Sequence, residues 1–199
     1  MSTSATTSRG DVGQRVLDEA DALDRSVSDA IAKTPSPTLN VPMTWISNAA
    51  NYSLLSFAIA GVLATTRGQR GRRAAIRGLT AVGATSFMAN VVAKNVFPRR
   101  RPTRPTIATG RSARMPTSSS FPSGHTASAF AFAAAVTTDF PYLSLPLYGL
   151  ATLVGYDRVL MGVHYPSDVM GGAVLGLAVG TVVREASLRL GPRSPRERA

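Results

Sequence analysis

Cysteine is absent from the 199 residues. The chain therefore has no disulfide, no thiolate metal site and no cysteine nucleophile. Histidine is almost absent, with two copies in the whole sequence. Any imidazole chemistry must run through His125 and His164. Charge is sparse and bunched: 17% of residues are charged, 44% are hydrophobic, and none of residues 34–66 carries a charge. This composition argues against disorder, which needs low hydrophobicity throughout. It also argues against an ordinary soluble helical protein, in which charges interrupt every apolar face. The first 40 residues show no apolar run after a basic start, so no cleavable signal peptide is expected.

The charge that is present is mostly positive, with 22 Lys and Arg against 11 Asp and Glu and a net charge of +11. Such a balance suits nucleic acid, an anionic membrane surface or a phosphorylated substrate. Position along the chain decides between them. Residues 11–33 place Val12, Val16, Leu17, Ala20, Leu23, Val27 and Ile31 at helical spacing, with Asp, Glu and Arg on the other face. This predicts an amphipathic helix, on the membrane surface or packed on a bundle, that ends at Pro35-Ser36-Pro37. Residues 1–37 are read as an N-terminal polar tail and helix, 38–185 as a membrane-embedded domain and 186–199 as a basic tail.

Five segments approach the roughly 20 residues that a bilayer requires. They are 46–66, 74–96, 122–138, 142–163 and 166–183, the last opening with Pro166 at a favourable helix start. Gly78, Gly83, Gly171, Gly172, Gly176 and Gly180 fit close helix packing in a membrane. The fold expected is all-α: a bundle of about five membrane helices plus the N-terminal amphipathic helix. Alternation puts loop 97–121 and turn 163–168 on one face, and loop 67–77, turn 139–141 and the tail on the other. The arginines of the second face have no evident chemical duty, so the positive-inside rule places that face in the cytoplasm. The first face is then extracytoplasmic.

Three polar clusters fall at span ends on that first face. Lys94-Asn-Val-Phe-Pro-Arg-Arg-Arg101-Pro102 is the first, Pro122-Ser123-Gly124-His125 the second, and Arg158-Val-Leu-Met-Gly-Val-His164-Tyr-Pro-Ser-Asp168 the third. Their residue types suit phosphoryl transfer, where catalysis is chiefly positioning and electrostatic stabilisation. Lys94, Arg101 and Arg158 supply fixed positive charge, and the two arginines can grip oxygens bidentately. Gly124 lets a backbone N–H come close to an anion, Ser123 adds a hydroxyl, and a helix starting there presents its positive end. One histidine can attack phosphorus while the other protonates the leaving oxygen. Asp168, four residues beyond His164, can accept its imidazole N–H and aim the other nitrogen.

These clusters resemble the three motifs of the type 2 phosphatidic acid phosphatase (PAP2) superfamily: K-x6-R-P, P-S-G-H and S-R-x5-H-x3-D. The resemblance covers about 94–172. It implies a helical bundle with the site at one end, His164 as nucleophile, His125 as general acid, and Lys94, Arg101, Ser123, Gly124 and Arg158 as phosphate-binding groups. No cofactor or metal is expected, because Asp168 is committed to His164 and no second carboxylate accompanies it. Asp157 departs from the pattern, standing where the family commonly has Ser.

Each residue has a plainer reading when taken singly. Lys94 and Arg158 could be snorkelling anchors, Ser-Gly-His a helix cap, and His164 with Asp168 an i,i+4 pair. Arg99, Arg100, Arg104, Arg111 and Arg114 read equally well as a solvated basic loop or as a substrate-capturing one. Met161 and Tyr165 read as packing. The function expected is a metal-independent phosphatase acting on a phosphomonoester or diphosphate of a membrane lipid, through a phosphohistidine. Phosphatidate, phosphatidylglycerol phosphate, a polyprenyl diphosphate and a polyprenyl-phosphoryl sugar phosphate are the candidate substrates. The Ala-, Arg- and Gly-rich composition suggests a high-GC bacterium, which brings in polyprenyl substrates of wall synthesis. The competing readings are a vanadate-dependent haloperoxidase, disfavoured by the spans and short length, and a non-catalytic basic membrane protein. Nucleic-acid binding lacks aromatics interleaved with the basic residues.

Overall fold

The computed structural model describes residues 9–33, 53–102 and 115–190. Among the described residues it is all helix, without strands. Helix α1 spans Arg9–Lys33, α2 Leu54–Thr66, α4 Gly124–Val136, α5 Ser144–Leu160 and α6 Pro166–Leu190. Between α2 and α4 lies α3, a continuous helical stretch over Gly68–Val96. Its Met88–Ala93 segment is wound as a π-helix. The two helices α3 and α6 are long and apolar enough to cross a membrane, and α2 is a shorter apolar helix. The expected helix stop at 35–37, the start of the span at 46, Arg104, Arg111, Arg114 and the tail from 191 lie outside the described residues.

The bundle buries small residues and exposes large ones. Its interior holds Ala60, Ala74, Ala81, Ala131, Ala133 and Ala135, joined by Phe132, Val136 and Leu147. Phe57, Val62, Ile76, Met170, Val174 and Val182 are all more than half exposed. A soluble monomer rarely presents so much large apolar surface. Small interior residues and large outward ones are the pattern expected where lipid covers the outside.

Helices α4 and α6 form the tightest pair. A Cβ on Gly172 would meet the Ser123 carbonyl oxygen at 2.5 Å, one on Gly176 the Ala127 oxygen at 2.2 Å, and one on Gly180 the Ala131 oxygen at 2.7 Å. These three glycines, one turn apart, let the two backbones touch. Gly78 and Gly171 likewise lie against side chains of Phe132 and Phe121. Gly83 does not share this role: nothing lies within 4 Å of the position its Cβ would take.

At the end of the bundle away from the motifs, buried Arg77 donates to Asp139 Oδ2 at 2.8 Å. Arg70 donates to the Asp139 carbonyl and lies 5.3 Å above the Phe140 ring. The α3 start and the α4–α5 turn are tied together there.

Candidate active site

The first cluster is set by the end of α3. Within the π-helical segment, the Asn90 side-chain amide donates to the Ser86 carbonyl at 3.0 Å, and its Oδ1 accepts from Lys94 Nζ at 2.7 Å. Lys94 Nζ also reaches Ser118 Oγ at 3.3 Å. A π-bulge offsets the side chains that follow it, and such bulges recur at functional sites. Beyond Phe97 the chain leaves the helix, as Pro98 requires. Arg101 then spans three segments. Its Nε donates to the Ser118 carbonyl at 3.0 Å, Nη2 to the Ser119 carbonyl at 3.1 Å, and Nη1 to the Val163 carbonyl at 2.7 Å.

The second cluster starts α4. Ser123 stands at the N-cap with extended backbone, so Gly124 and His125 open the helix and its unpaired N–H groups face the site. The Ser123 N–H donates to the Asp168 carbonyl at 2.9 Å, and Ser123 Oγ accepts from Thr126 Oγ1 at 3.0 Å. The third cluster is the turn from α5 into α6. Gly162 takes φ +60° there, a conformation other residues adopt at a cost. The Arg158 carbonyl accepts from the N–H groups of Val163 and His164 at 3.1 and 3.3 Å. This closed turn delivers His164 back toward α4, six residues after Arg158 in the last turn of α5.

Five of the eight expected site residues line one cleft of about 640 Å³: Lys94, Arg101, Gly124, His125 and His164. Ser53, Ser86, Asn90, Thr117, Ser118 and Ser128 complete its polar wall. The other three, Ser123, Arg158 and Asp168, are buried behind that wall. Arg158 Nε donates to Asp157 Oδ2 at 2.9 Å, and Nη2 reaches the same oxygen. Asp157, the position that departs from the motif, thus holds the arginine beside it.

His164 is almost fully buried in the turn. Its Nε2 lies 3.3 Å from Arg101 Nη1. A guanidinium only donates, so Nε2 is the unprotonated nitrogen and Nδ1 carries the hydrogen. Nδ1 faces Asp168 Oδ2 at 3.6 Å, directed at the carboxylate but longer than a hydrogen bond. Burial lowers the His164 pKa below the usual imidazole value; Asp168 opposes this, and Arg101 and Lys94 add to it. Burial also lowers the Arg101 pKa.

The expectation that Asp168 serves His164 alone is corrected. Its Oδ2 accepts the Tyr165 N–H at 2.8 Å and its Oδ1 accepts from Arg99 Nη1 at 2.9 Å. Carboxylates do accompany it, because Arg99 Nη2 bonds Asp24 at 2.8 Å and Asp21 at 2.9 Å. Arg99 is therefore neither a solvated loop residue nor open for substrate capture. Burial alone would lower its pKa, but the bonds to Asp24, Asp21 and Asp168 prevail and raise it. Tyr165 carries the Arg99 guanidinium 4.4 Å above its ring. Arg100 is exposed. Among the described residues no group of three His, Cys, Asp or Glu is placed to hold a metal ion.

The sequence model of the PAP2 superfamily matches residues 74–191, which include all three clusters. The chain belongs to the PAP2 superfamily. The decaprenylphosphoryl-5-phosphoribose phosphatase of Mycobacterium tuberculosis is 38% identical over 108 residues, 51% of this chain and 56% of that protein. The lipid A 1-phosphatase of Rhizobium etli is 44% identical over 57 residues, 29% of this chain and 25% of that protein. The chain thus spans about half the length of the first of these relatives. In three dimensions, the transmembrane PAP2-type phosphatidylglycerolphosphate phosphatase of Bacillus subtilis superposes with a TM-score of 0.68 at 26% identity, covering 88% of this chain and 90% of that one. Aquifex aeolicus LpxE gives a TM-score of 0.60 at 25% identity, over 80% of this chain and 93% of that one.

Proposed function

We propose that this PAP2 protein is a multi-pass membrane phosphatase that removes phosphate from a lipid phosphomonoester or diphosphate, through a phosphohistidine on His164. The observation that carries this reading is that both histidines of the chain line one cleft whose wall also holds Lys94 and Arg101. In the reaction, the phosphate dianion draws Arg101 and Lys94 onto its oxygens. That frees the Nε2 lone pair of His164, which forms the P–N bond. The Gly124 N–H and the α4 N-terminus take the remaining oxygens, with Ser123 and the Asp157-held Arg158 on the buried side behind them, to be reached as the phosphate settles. The P–O bond to the lipid breaks as protonated His125 gives its proton to the leaving oxygen. Water then attacks phosphorus, His125 accepts a water proton, and the P–N bond breaks to return His164 and release phosphate. Asp168 steadies the His164 cation that forms on attack. No step calls for a metal.

Lipid character is supported by an apolar slot that reaches His125 from between α2, α4 and α5, lined by Leu55, Ile59, Phe132, Leu147, Leu150 and Val154. The large exposed side chains of α2, α3 and α6 support a membrane bundle, which we read as five spans formed by α2 to α6. The positive-inside rule puts the cleft on the extracytoplasmic face. Among substrates, a polyprenyl-phosphoryl sugar phosphate is preferred, after the mycobacterial relative. The test is phosphate release by detergent-purified protein, with EDTA, from that lipid, a polyprenyl diphosphate, phosphatidylglycerol phosphate and phosphatidate. Release that His164→Ala abolishes supports the reading; release that survives His164→Ala sinks it. No release from any of the four by folded protein also counts against it.

A further inference from the structure

Helix α1 lies outside the residues matched by the family model, yet it reaches the site. The chain has eleven acidic residues, and six of them are on α1. Asp24 is buried, although it sits on a helix whose Val12, Val16 and Leu23 are more than half exposed. Of the apolar stripe, Val12, Val16 and Leu23 thus face away from the bundle, and a different side of α1 meets it. That side carries Asp21 and Asp24, with Ile31 packed against Leu160, Met161 and Val163.

What Asp24 does follows from the start of α6. The first N–H groups of a helix have no partner within it. Asp168, two residues after Pro166, takes the Tyr165 N–H, which is one half of a capping box. The other half needs a side-chain oxygen at position 165, where the aromatic ring of Tyr165 has none to offer. Asp24 fills the gap from 143 residues upstream. Its Oδ1 accepts the Ser167 N–H at 2.9 Å, and its Oδ2 accepts from Ser167 Oγ. The same Oδ2 accepts from Arg99 Nη2. The other arm of Arg99 bonds Ser167 Oγ at 2.7 Å and Asp168 Oδ1 at 2.9 Å. One guanidinium thus fixes both oxygens' orientation in Asp168, whose Oδ2 then faces His164 Nδ1.

We propose that Asp24 and Arg99 are positioning residues: α1 caps α6 in place of a local residue and, through Arg99, holds Asp168 in the orientation that sets the His164 tautomer. Without Asp24, Ser167 loses its cap and Arg99 turns more fully onto Asp168. The carboxylate then swings away from the imidazole, and Nδ1–H and Nε2–H forms mix. Displaced supporting groups of this kind cost roughly tenfold to a hundredfold in rate.

The kinetic readout rests on the phosphatase reading; a second readout does not. With two histidines in the chain, imidazole ¹⁵N spectra of the full-length protein in micelles resolve His164, assigned with His125→Gln. For Asp24→Asn the expected result is a fall in kcat of about tenfold or more with KM within twofold, and His164 nitrogen shifts moved toward a tautomer average. Arg99→Lys, which keeps charge but loses the fork, gives the same pair of changes and serves if Asp24→Asn does not fold. Asp24→Glu recovers part of both, and Asp29→Asn, exposed on the same helix, changes neither. Folded Asp24→Asn with unmoved His164 shifts overturns the inference, whatever its rate. If the wild type releases no phosphate, the nitrogen shifts still decide the positioning role, and it is the phosphatase reading that falls.

Discussion

Replacing Gly176 by Ala puts a methyl group where the α4 backbone already lies. Its Cβ would sit 2.2 Å from the Ala127 oxygen and 3.0 Å from both the Ala127 carbonyl carbon and the Phe130 Cβ. An ordinary C···O contact is about 3.3 Å, so the helices must part by about 1 Å. The neighbours are backbone and cannot turn aside. Overpacking of this kind costs about 1–3 kcal/mol, and the helix preference for Ala returns at most about 1 kcal/mol. A net loss of about 1–2 kcal/mol lowers Tm by roughly 2–8 °C in a chain of this size. The effect on rate is expected to be larger. His125 is the second residue of α4 and His164 stands two residues before α6, so a shift at their shared interface separates the two imidazoles. A displacement of about 1 Å can cost on the order of 100-fold. Gly83→Ala is the matched control, because nothing lies within 4 Å of the added carbon. It is expected to leave rate and Tm unchanged or to raise Tm slightly. Circular dichroism melts in micelles and phosphate release measure both. Wild-type Tm and rate in Gly176→Ala, or an equal loss in Gly83→Ala, refutes the packing argument.

Three further outcomes follow. Burial lowers the His164 pKa, and the neutral imidazole is the attacking form, so the acid limb of kcat/KM assigned to His164 lies below the ordinary imidazole range. Asp168→Asn removes the group that opposes this shift, so the limb moves to still lower pH; a move to higher pH in a pH–rate profile contradicts the assignment. Asp157→Ala takes away the carboxylate bonded to buried Arg158 and is expected to destabilise by about 3–5 kcal/mol, read as a Tm drop beyond 6 °C; a drop under 2 °C counts against Asp157 as the anchor. Because the chain has no cysteine, Arg100→Cys and Arg73→Cys are clean single labels. An impermeant maleimide added to intact cells should modify Arg100→Cys and spare Arg73→Cys, and the reverse pattern would place the cleft in the cytoplasm.

Much of the site was legible because its chemistry is local in sequence. The spacing from Arg158 to His164 is one helix end and one tight turn. The Pro-Ser-Gly-His run is one helix start, and Lys94 to Arg101 is a helix end followed by an extended segment. Hydropathy marked the helices for a related reason: the apolar runs survive as helices, although α2 and α4 are each 13 residues long. What was not legible depends on contacts between distant residues. Arg99 sits among four arginines of similar context, and only the fold brings Asp21 and Asp24 to it. The sole hint was a pair of aspartates three apart beside the apolar stripe of α1, which also fits a solvated face. Gly83 failed for the opposite reason. Its composition context matches that of Gly176, but it lies on the outside of α3, where close approach has no partner.

The account turns on His164 as the phosphoryl acceptor. The direct measurement is to mix purified protein with its best ³²P-labelled lipid, quench in alkali, where phosphohistidine persists, and count label on the protein. Label on the wild type that is absent from His164→Ala is the predicted result. Lipid hydrolysis with no label on the wild type, or label that persists in His164→Ala, would contradict it.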